Sequence, residues 1–298
     1  MKILITGGTG LIGQKLTEKL EERGDEVLIV SRSRSGEQYI NWDPENQGSL
    51  TIPEGTDAVV HLAGAPVFGE RWSDDYKQEI RDSRVKGTRT VVNAIEEYDG
   101  ELECFVSGSA TGYYGDRDNT KLSEEDDPGD DFLAGVCKEW EAEAKKLDDD
   151  STPVSIIRTG IVLSMEDGAL RRMLNPVPYV WPFHLGLGGP LGLGKQYMPW
   201  IHIEDEVRAI MYLIDEGLEG IYNLSAPEPV SNWDYTQALG SALNRPAFFP
   251  LPYFVLRILF GKAASILWSS QRVYPNALEE EGFEFKYTDV QSALEDLV

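Results

Sequence analysis

The first thirty residues constrain the fold of this chain more than any other stretch. KILIT is apolar and largely β-branched, which predicts a strand, and it runs directly into the glycine-rich segment GGTGLIG. The next segment, QKLTEKLEERG, carries leucines at helical spacing and ends in glycine, and VLIV predicts a second strand. In such a unit Gly7 permits a tight turn, Gly10 lets backbone approach a pyrophosphate, and Gly13 allows close helix–strand packing. The order predicts a dinucleotide-binding unit with the phosphates at the helix N-terminus.

The end of the second predicted strand indicates which dinucleotide is bound. An Asp or Glu is expected there when the site holds the 2′-hydroxyl of an adenosine ribose. The sequence instead has Ser31, Arg32, Ser33 and Arg34. A hydroxyl followed by a planar guanidinium suits a 2′-phosphate, which the guanidinium can bind through two hydrogen bonds. We therefore predict NADP(H) rather than NAD(H); the alternative is that both arginines are ordinary surface residues of a loop.

The later strands place this unit in a larger sheet. DAVVHLAG, LECFVSGS, PVSIIRTGIVL and GIYNLSA have strand-like composition and alternate with helix-like stretches. This alternation predicts an α/β fold of the Rossmann type, with a doubly wound parallel sheet and a smaller C-terminal substrate lobe. We assign residues 1–163 to the dinucleotide-binding domain, to which 201–226 return. Residues 164–200, rich in Gly, Pro and aromatics, are predicted to form loops over the cleft, and 227–298 the small lobe.

Composition limits the class of partner. The chain has 51 Asp and Glu against 27 Lys and Arg, a net charge of −24, which predicts repulsion from nucleic acid and from anionic membranes. We expect a small-molecule substrate of unknown identity and, by analogy with related folds, a homodimer. The acidic surface also suggests a halophilic protein, because concentrated salt screens the self-repulsion of the charges.

Other sequence features exclude further classes of site. No run approaches the length of a membrane span and the chain begins directly in a strand, so we expect a cytoplasmic protein without a signal peptide. Cys104 and Cys137 are predicted to be buried free thiols. The histidines at 61, 184 and 202 do not have metal-ligand spacing, so no metal site is predicted.

Several motifs resemble a known superfamily. TGGTGLIG, HLAG, SGSATGYYGD and PWIHIEDEVRAI are together similar to the extended short-chain dehydrogenase/reductases. ERWSDDYKQEIRDSRVKGT, LGLGGPLGLGKQYMPWIHIED and the ending GKAASILWSSQRVYPNALEEEGFEF resemble more narrowly the atypical subgroup labelled epimerase family protein. These motifs cover nearly the whole chain. The resemblance implies an oxidoreductase or nucleotide-sugar epimerase-like activity with a nicotinamide cofactor.

The glycine turn, the strand ends and this resemblance together predict the cofactor site. Arg84, in the run R-V-K-G-T, stands where typical extended members have asparagine, and the resemblance puts it and Glu79 near the cofactor. A buried ion pair between Arg84 and Glu79 is the alternative for these two residues. The predicted cofactor-binding residues are Gly7, Thr9, Gly10, Leu11, Ile12, Gly13, Ser31, Arg32, Leu62, Ala63, Gly64, Glu79, Arg84, Ser107 and Ile161.

The resemblance also exposes a departure from the usual chemistry. Standard members use a tyrosine as acid or base, with a lysine four residues later. Counting back eight residues from Glu141, the glutamate of the K-x-x-x-E pattern, places Leu133 at the tyrosine and Cys137 at the lysine. Leucine cannot transfer a proton, and Lys138 points about 100° away around the helix. The sequence therefore predicts that the standard dyad is absent.

Replacement groups are predicted at the end of the strand LECFVSGS. Ser107 and Ser109 lie where the standard serine is found, and Tyr114 or Tyr113 follows in the same loop. We predict Ser107, Ser109 and Tyr114 as the catalytic residues, with a tyrosine as general acid; the alternative is that these tyrosines pack with a bonded hydroxyl. Cys137 is a further candidate as nucleophile or base. His202, Trp140 and Glu141 are interpreted as structural.

Two functions of different classes remain open at this point. One is an atypical NADP(H)-dependent oxidoreductase that transfers hydride to or from a carbonyl group. The other is a non-catalytic NADP(H)-binding sensor or scaffold. The missing dyad favours the second, and the glycine-rich segment predicted to cover the cleft favours the first.

Overall fold

The computed structural model describes residues 1–42, 50–68, 70–147, 152–174 and 183–298. Its strands, in chain order, are β1 (Lys2–Thr6), β2 (Glu26–Ser31), β3 (Tyr39–Asn41), β4 (Ala58–His61), β5 (Cys104–Ala110), β6 (Lys121–Leu122), β7 (Val154–Thr159), β8 (Ile161–Leu163), β9 (Tyr197–Met198), β10 (Trp200–His202), β11 (Gly220–Leu224), β12 (Val230–Ser231) and β13 (Arg272–Val273). Its α-helices are α1 (Leu11–Arg23), α2 (Asp74–Glu96), α3 (Phe132–Ala144), α4 (Gly168–Leu174), α5 (Ile203–Asp215), α6 (Asn232–Ala242), α7 (Tyr253–Phe260), α8 (Asn276–Glu280) and α9 (Val290–Leu297). Short 3₁₀ helices span Thr111–Tyr114 and Gly261–Leu267.

Seven strands form one parallel sheet in the order β11-β7-β5-β4-β1-β2-β3. The strand order reverses at β1, which pairs with β2 on one side and with β4 on the other. Ligands in open parallel sheets bind at such a reversal, beyond the carboxyl ends of the strands. The predicted doubly wound α/β fold is confirmed.

Alternation along β1 shows how the sheet is covered on both faces. Ile3 and Ile5 pack in a core with residues of α1 and α5, whereas Leu4 packs in a second core with residues of α2. Successive side chains of a strand point to opposite faces, so a strand covered on both sides must be apolar throughout. This requirement explains the uninterrupted apolar run in KILIT and in the other central strands.

A third core lies in the C-terminal region. Trp200, Tyr235, Leu239 and Leu294 pack there with residues of α4, so that α4, α6 and α9 share one apolar interior. Residues 201–226 include α5, which packs in the core of the main sheet, and β11, which pairs with β7. Leu278, which the prediction assigned to the small lobe, instead packs in the core of the main sheet. The boundary between the two regions stays a prediction.

Residues 175–182 of the segment predicted to cover the cleft lie outside the described residues, and the rest of the segment is described. Residues 164–174, predicted to form a loop, instead include helix α4. From residue 183 onward the segment contacts the C-terminal region. Leu191 forms a parallel bridge with Leu251, and the Phe249 N–H donates to the Gly188 carbonyl over 3.1 Å. This part therefore packs along residues 245–251 of the C-terminal region. Among the described helices, none is both long enough and apolar enough to cross a bilayer.

Candidate functional site

A cavity of about 550 Å³ opens at the carboxyl ends of β1, β2 and β4, where the strand order reverses. It brings together many of the residues that the sequence predicted to bind a cofactor. The lining residues are Thr6, Gly7, Thr9, Gly10, Val30, Ser31, Arg32, Ser33, Trp42, Leu62, Ala63, Gly64, Ala65, Pro66, Glu79, Asp82, Ser83 and Lys86. Of the predicted set, Leu11, Ile12, Gly13, Arg84, Ser107 and Ile161 do not line it.

The glycine turn has no room for side chains. Gly7 has a φ of 75°, and a Cβ on it would lie 2.7 Å from the carbonyl carbon of Leu62. A Cβ on Gly13 would lie 2.3 Å from the Gly7 carbonyl oxygen. Gly10 begins α1 without a side-chain cap, so the first-turn N–H groups are not satisfied by a side chain. Such N–H groups at the positive end of a helix dipole form an anion-binding site.

The turn after β2 carries the cationic side chain of Arg32. The Ser31 hydroxyl accepts a hydrogen bond from the Arg34 N–H over 3.1 Å, which folds the chain into a tight turn. Arg32 is exposed on this turn and lines the cavity. Its carbonyl accepts from Asn41, but in the described parts of the chain its guanidinium has neither a hydrogen bond nor an ion pair. An unpaired guanidinium here is available to an anionic group.

Arg84 lies behind the other side of the cavity. Its Nη1 donates to the carbonyls of Ala65 and Ile80, each over 3.0 Å, and its Cζ lies 5.1 Å from the Trp140 ring centroid. Burial lowers the pKa of Arg84 from its ordinary value. Glu79 is exposed, and the structure gives these two residues no mutual ion pair within the ranges it describes. The buried Arg84–Glu79 pair considered from the sequence is therefore wrong.

Ser109 and Tyr114 belong to a buried polar network. The Ser109 hydroxyl donates to Glu141 Oε1 over 2.7 Å, and Arg158 binds both oxygens of Glu141 over 2.8 and 3.0 Å. The Tyr114 hydroxyl accepts from Arg158 Nη1 over 2.9 Å and donates to Asn223 Oδ1 over 2.7 Å. The network joins β5, α3, β7 and β11, and satisfied buried networks of this kind rigidify a fold.

This network argues against two of the predicted catalytic roles. Tyr114 has no exposed surface, and its burial raises the pKa of its phenol to about 12. A general acid must reach the substrate and release its proton near the working pH. The Tyr114 proton is donated to Asn223 and that of Ser109 to Glu141, so neither hydroxyl faces the cavity. In this geometry both hydroxyls serve the buried network around Glu141, and their catalytic roles stay predictions that the network does not support.

The remaining catalytic candidates are also buried. Ser107 has no exposed surface, and its hydroxyl has no hydrogen-bond partner among the described residues. Cys137 and Cys104 are buried free cysteines, as predicted, and burial raises the pKa of each thiol to about 12. Cys137 is therefore a neutral thiol, which argues against its role as nucleophile or base. Leu133 packs among apolar residues that include Ala263 of the second 3₁₀ helix.

Sequence reasoning missed a histidine beside the cavity. His61 Nδ1 lies 2.6 Å from Thr6 Oγ1, and Thr6 Oγ1 accepts from the Ala63 N–H over 3.4 Å. Burial lowers the pKa of His61 to about 4, so the ring is neutral and serves as a hydrogen-bond partner for Thr6. Its place directly before Leu62 at the end of β4 was the available signal, but the histidines were considered only as metal ligands.

Glu206 is a second buried group that the sequence did not reveal. It lies in the first turn of α5 with no exposed surface and accepts a hydrogen bond from Thr159 Oγ1 over 2.8 Å. Its other oxygen has no partner among the described residues. Burial raises the pKa of Glu206 to about 8, against the smaller opposing effect of Thr159. The folded protein therefore keeps this carboxyl protonated at neutral pH.

We expect Glu206→Gln to remove a pH dependence of stability. The folded pKa of about 8 exceeds the ordinary 4.5, so wild-type stability is fully present below pH 4.5 and falls as the pH rises towards 8. Across this pH window the wild type should lose about 2–4 kcal/mol of unfolding free energy relative to the variant. Urea unfolding in molar KCl at several pH values measures it. Glu204→Gln on the same turn is the control, and an equal slope in all three proteins would contradict the assignment.

The sheet, the reversal of strand order and the uncapped glycine turn define a Rossmann-type nucleotide-binding protein. Residues 3–136 match the NAD dependent epimerase/dehydratase family, and residues 251–297 match a domain of unknown function, DUF1731. An epimerase family protein of Mycobacterium bovis is 39% identical over 299 residues, which cover 98% of this chain and 96% of that protein. The mouse epimerase family protein SDR39U1 is 36% identical over 304 residues and 100% of both chains.

A solved structure agrees with these matches. The crystal structure of human epimerase family protein SDR39U1 (isoform 2) with NADPH has a TM-score of 0.91 to this chain at 34% identity. The match covers 100% of this chain and 99% of the human one. This chain belongs to the epimerase family proteins of the SDR39U1 type, within the NAD-dependent epimerase/dehydratase family and with its C-terminal DUF1731 domain. The resemblance read from the sequence is confirmed.

Proposed function

We propose that this protein binds NADP(H) in the cavity at the ends of β1, β2 and β4 and acts as an oxidoreductase on a carbonyl or hydroxyl substrate. The observation that carries the proposal is that one cavity is lined both by Gly10, the uncapped N-terminus of α1, and by Arg32, which forms no ion pair among the described residues. The human relative was crystallised with NADPH, which supports the same cofactor here.

The residues present fit a dinucleotide phosphate. A Cβ on Gly7 or Gly13 would collide with backbone atoms, so the close turn requires glycine, and its backbone N–H groups would hold the pyrophosphate. Ser31 and Arg32 would hold the 2′-phosphate, because β2 ends without the carboxylate that binds a ribose hydroxyl and would repel a phosphate. Arg84 would donate its remaining N–H groups to the cofactor near Gly64, in place of the lysine that Cys137 replaces.

Hydride transfer requires fewer proton-transferring groups from the protein than sugar epimerisation does. When bound, NADPH supplies a hydride to a carbonyl carbon, and water supplies the proton that the resulting oxygen needs. This residue set holds a cofactor and positions a substrate without a buried acid. Epimerisation at a sugar hydroxyl begins with deprotonation, for which the positions of Leu133 and Cys137 offer an alkyl group and a neutral thiol.

We expect Arg32→Ala to weaken NADPH binding by roughly 10- to 100-fold, because a bidentate hydrogen bond to a charged group contributes about 1.5–3 kcal/mol. The affinity for NADH should stay unchanged, since NADH lacks the 2′-phosphate. Titration of nicotinamide fluorescence with both cofactors measures the effect. Arg34→Ala is the matched control: this arginine is exposed on the same turn but bonds Tyr39 and does not line the cavity. Equal losses for both cofactors would refute the phosphate assignment.

The second candidate is a binding protein without turnover, such as a redox sensor or scaffold. The burial of Ser107, Ser109 and Tyr114 favours it, because none of these hydroxyls faces the cavity. NADPH consumption over a panel of carbonyl compounds and nucleotide sugars distinguishes the two functions. Oxidation of NADPH by any panel member, lost in Arg32→Ala at limiting cofactor, supports the oxidoreductase. Tight NADPH binding without turnover across the whole panel supports the sensor.

A further inference from the structure

Acidic residues are missing from two long stretches of a chain that is otherwise rich in them. The sequence has 51 Asp and Glu, yet residues 168–203 and 235–278 contain none, while they contain seven Lys and Arg. All 51 acidic residues and the other 20 basic ones therefore lie in the rest of the chain, which carries a charge of −31. Such strong segregation indicates a surface that does not share the solvent-facing role of the acidic faces.

The described parts of these two stretches come together in the C-terminal lobe. Leu191 bridges to Leu251, and the Leu251 N–H donates to the Pro190 carbonyl over 2.8 Å. Beyond them, the Tyr253 ring lies 4.5 Å from the ring of Trp268. Residues far apart in sequence thus pack against each other, so that α7 follows directly on the strand-like contact with the glycine-rich turns before β9.

Large apolar side chains protrude from this surface instead of packing inward. Leu193 is 76% exposed, Leu185 67%, Ile258 66% and Phe254 65%. Phe254 and Ile258 lie one turn apart on α7 and so share a face. Phe248 and Leu187 are also more than half exposed. We call the exposed apolar side chains of the two stretches, Leu185, Leu187, Leu193, Phe248, Phe254 and Ile258, together the acid-free surface.

Exposed cationic side chains accompany these apolar side chains. Lys195, Arg245, Arg257 and Lys262 are exposed in the same two stretches. Throughout the residues that the structure covers, none of the four forms an ion pair with a carboxylate. The acid-free surface is therefore accompanied by exposed cationic groups that no carboxylate of the described residues pairs with.

We infer that the acid-free surface binds the interface of a lipid bilayer that contains anionic lipids, with α7 lying among the headgroups. Helices that lie in a membrane interface bury an apolar face at the acyl boundary, while flanking Lys and Arg contact anionic headgroups. Phe254 and Ile258 would insert beside Leu185 and Leu193. Arg257 and Lys262 would remain at the level of the lipid phosphates, as long cationic side chains do.

The overall charge does not prevent this contact. The net charge of −24 predicts repulsion from anionic membranes, but charges farther apart than about 8 Å are largely screened at physiological ionic strength. The groups that face the bilayer then decide the interaction, and on the acid-free surface these are cations. A symmetric contact between two copies would place these cations against their own counterparts. Protruding side chains also suit a deformable lipid layer better than a preshaped protein surface.

Flotation with unilamellar vesicles tests the inference on the full-length protein. The probes are vesicles of equimolar phosphatidylglycerol and phosphatidylcholine, and vesicles of phosphatidylcholine alone, at physiological ionic strength and in molar KCl. Circular dichroism confirms that each protein is folded under each condition. We expect binding to the anionic vesicles, weaker binding to the neutral ones, and a loss of the difference between them in molar KCl.

Two variants on α7 and its neighbourhood address the surface directly. Phe254→Asp with Ile258→Asp should abolish vesicle binding, since both side chains are already exposed and their replacement leaves the core intact. Arg245→Gln with Arg257→Gln should weaken binding to anionic vesicles by roughly tenfold or more, at about fivefold for each cation. Lys145→Gln with Lys146→Gln removes two exposed cations at the end of α3 and should leave binding unchanged.

Three outcomes would overturn the inference. One is wild-type protein that floats with neither kind of vesicle. Another is binding that survives in both surface variants. The third is analytical ultracentrifugation showing an oligomer that the Phe254→Asp, Ile258→Asp variant dissociates, without vesicle binding by the wild type; the surface would then be a contact between copies.

Discussion

Replacing Glu141 with glutamine should lower the free energy of unfolding by about 3–5 kcal/mol, the usual cost of leaving one member of a buried ion pair without its partner. Glu141 and Arg158 are both almost fully buried and joined by two hydrogen bonds. Glutamine has the same shape but no charge, so Arg158 would become an uncompensated cation in the interior. The hydrogen bond from Ser109 would weaken as well, because its acceptor would no longer be ionised.

Denaturant unfolding followed by circular dichroism measures this loss. Glu139→Gln is the matched control on the same helix: Glu139 pairs with Arg81 at the surface, where an ion pair contributes only about 0–1 kcal/mol. A loss at Glu141 as small as that at Glu139 would contradict a structural role for the network. NADPH affinity should be retained in the folded Glu141→Gln protein, since no member of the network lines the cavity.

Gly13→Ala should abolish measurable NADPH binding, with a rise in Kd of roughly 100-fold or more. The new Cβ would lie 2.3 Å from the Gly7 carbonyl oxygen and 2.6 Å from the Gly8 Cα, and both contacts are backbone atoms that cannot swing aside. The turn must move away from the first turn of α1. At least two charge-assisted hydrogen bonds to phosphate would be lost, each worth about 1.5–3 kcal/mol.

Calorimetric titration with NADPH measures this effect, and a melt confirms that the variant is folded. Gly135→Ala on α3 is the control, because a Cβ on Gly135 meets nothing within 4 Å. That substitution should leave NADPH affinity unchanged and raise stability by about 0.5–1 kcal/mol, since alanine is the better helix former. If Gly13→Ala bound NADPH as tightly as the wild type, the proposal that the glycine turn binds the phosphates would be wrong.

The structure differs from the sequence-based predictions mainly at the proposed chemistry. Ser109 and Tyr114 were predicted from their place at the end of β5, where related enzymes do carry catalytic groups. Their hydrogen-bond partners are Glu141 and Asn223, and Asn223 lies 109 residues beyond Tyr114 in the chain. A short sequence pattern does not reveal a hydrogen-bond partner that lies so far away in the chain. The sequence therefore does not distinguish a hydroxyl that bonds within the core from one that faces a cleft.

The sequence by itself determined the fold class, the glycine turn and the arginine at the end of β2. Each of these is local: periodicity along a strand or helix, or a backbone conformation that only glycine allows, acts within a few residues. Tertiary structure alone decided which polar groups are buried, as with Glu206, whose pKa rises to about 8 because it lies out of reach of water. It also brought the described parts of two acid-free stretches into contact. Burial and adjacency depend on contacts between distant segments, and these form only when the chain has folded.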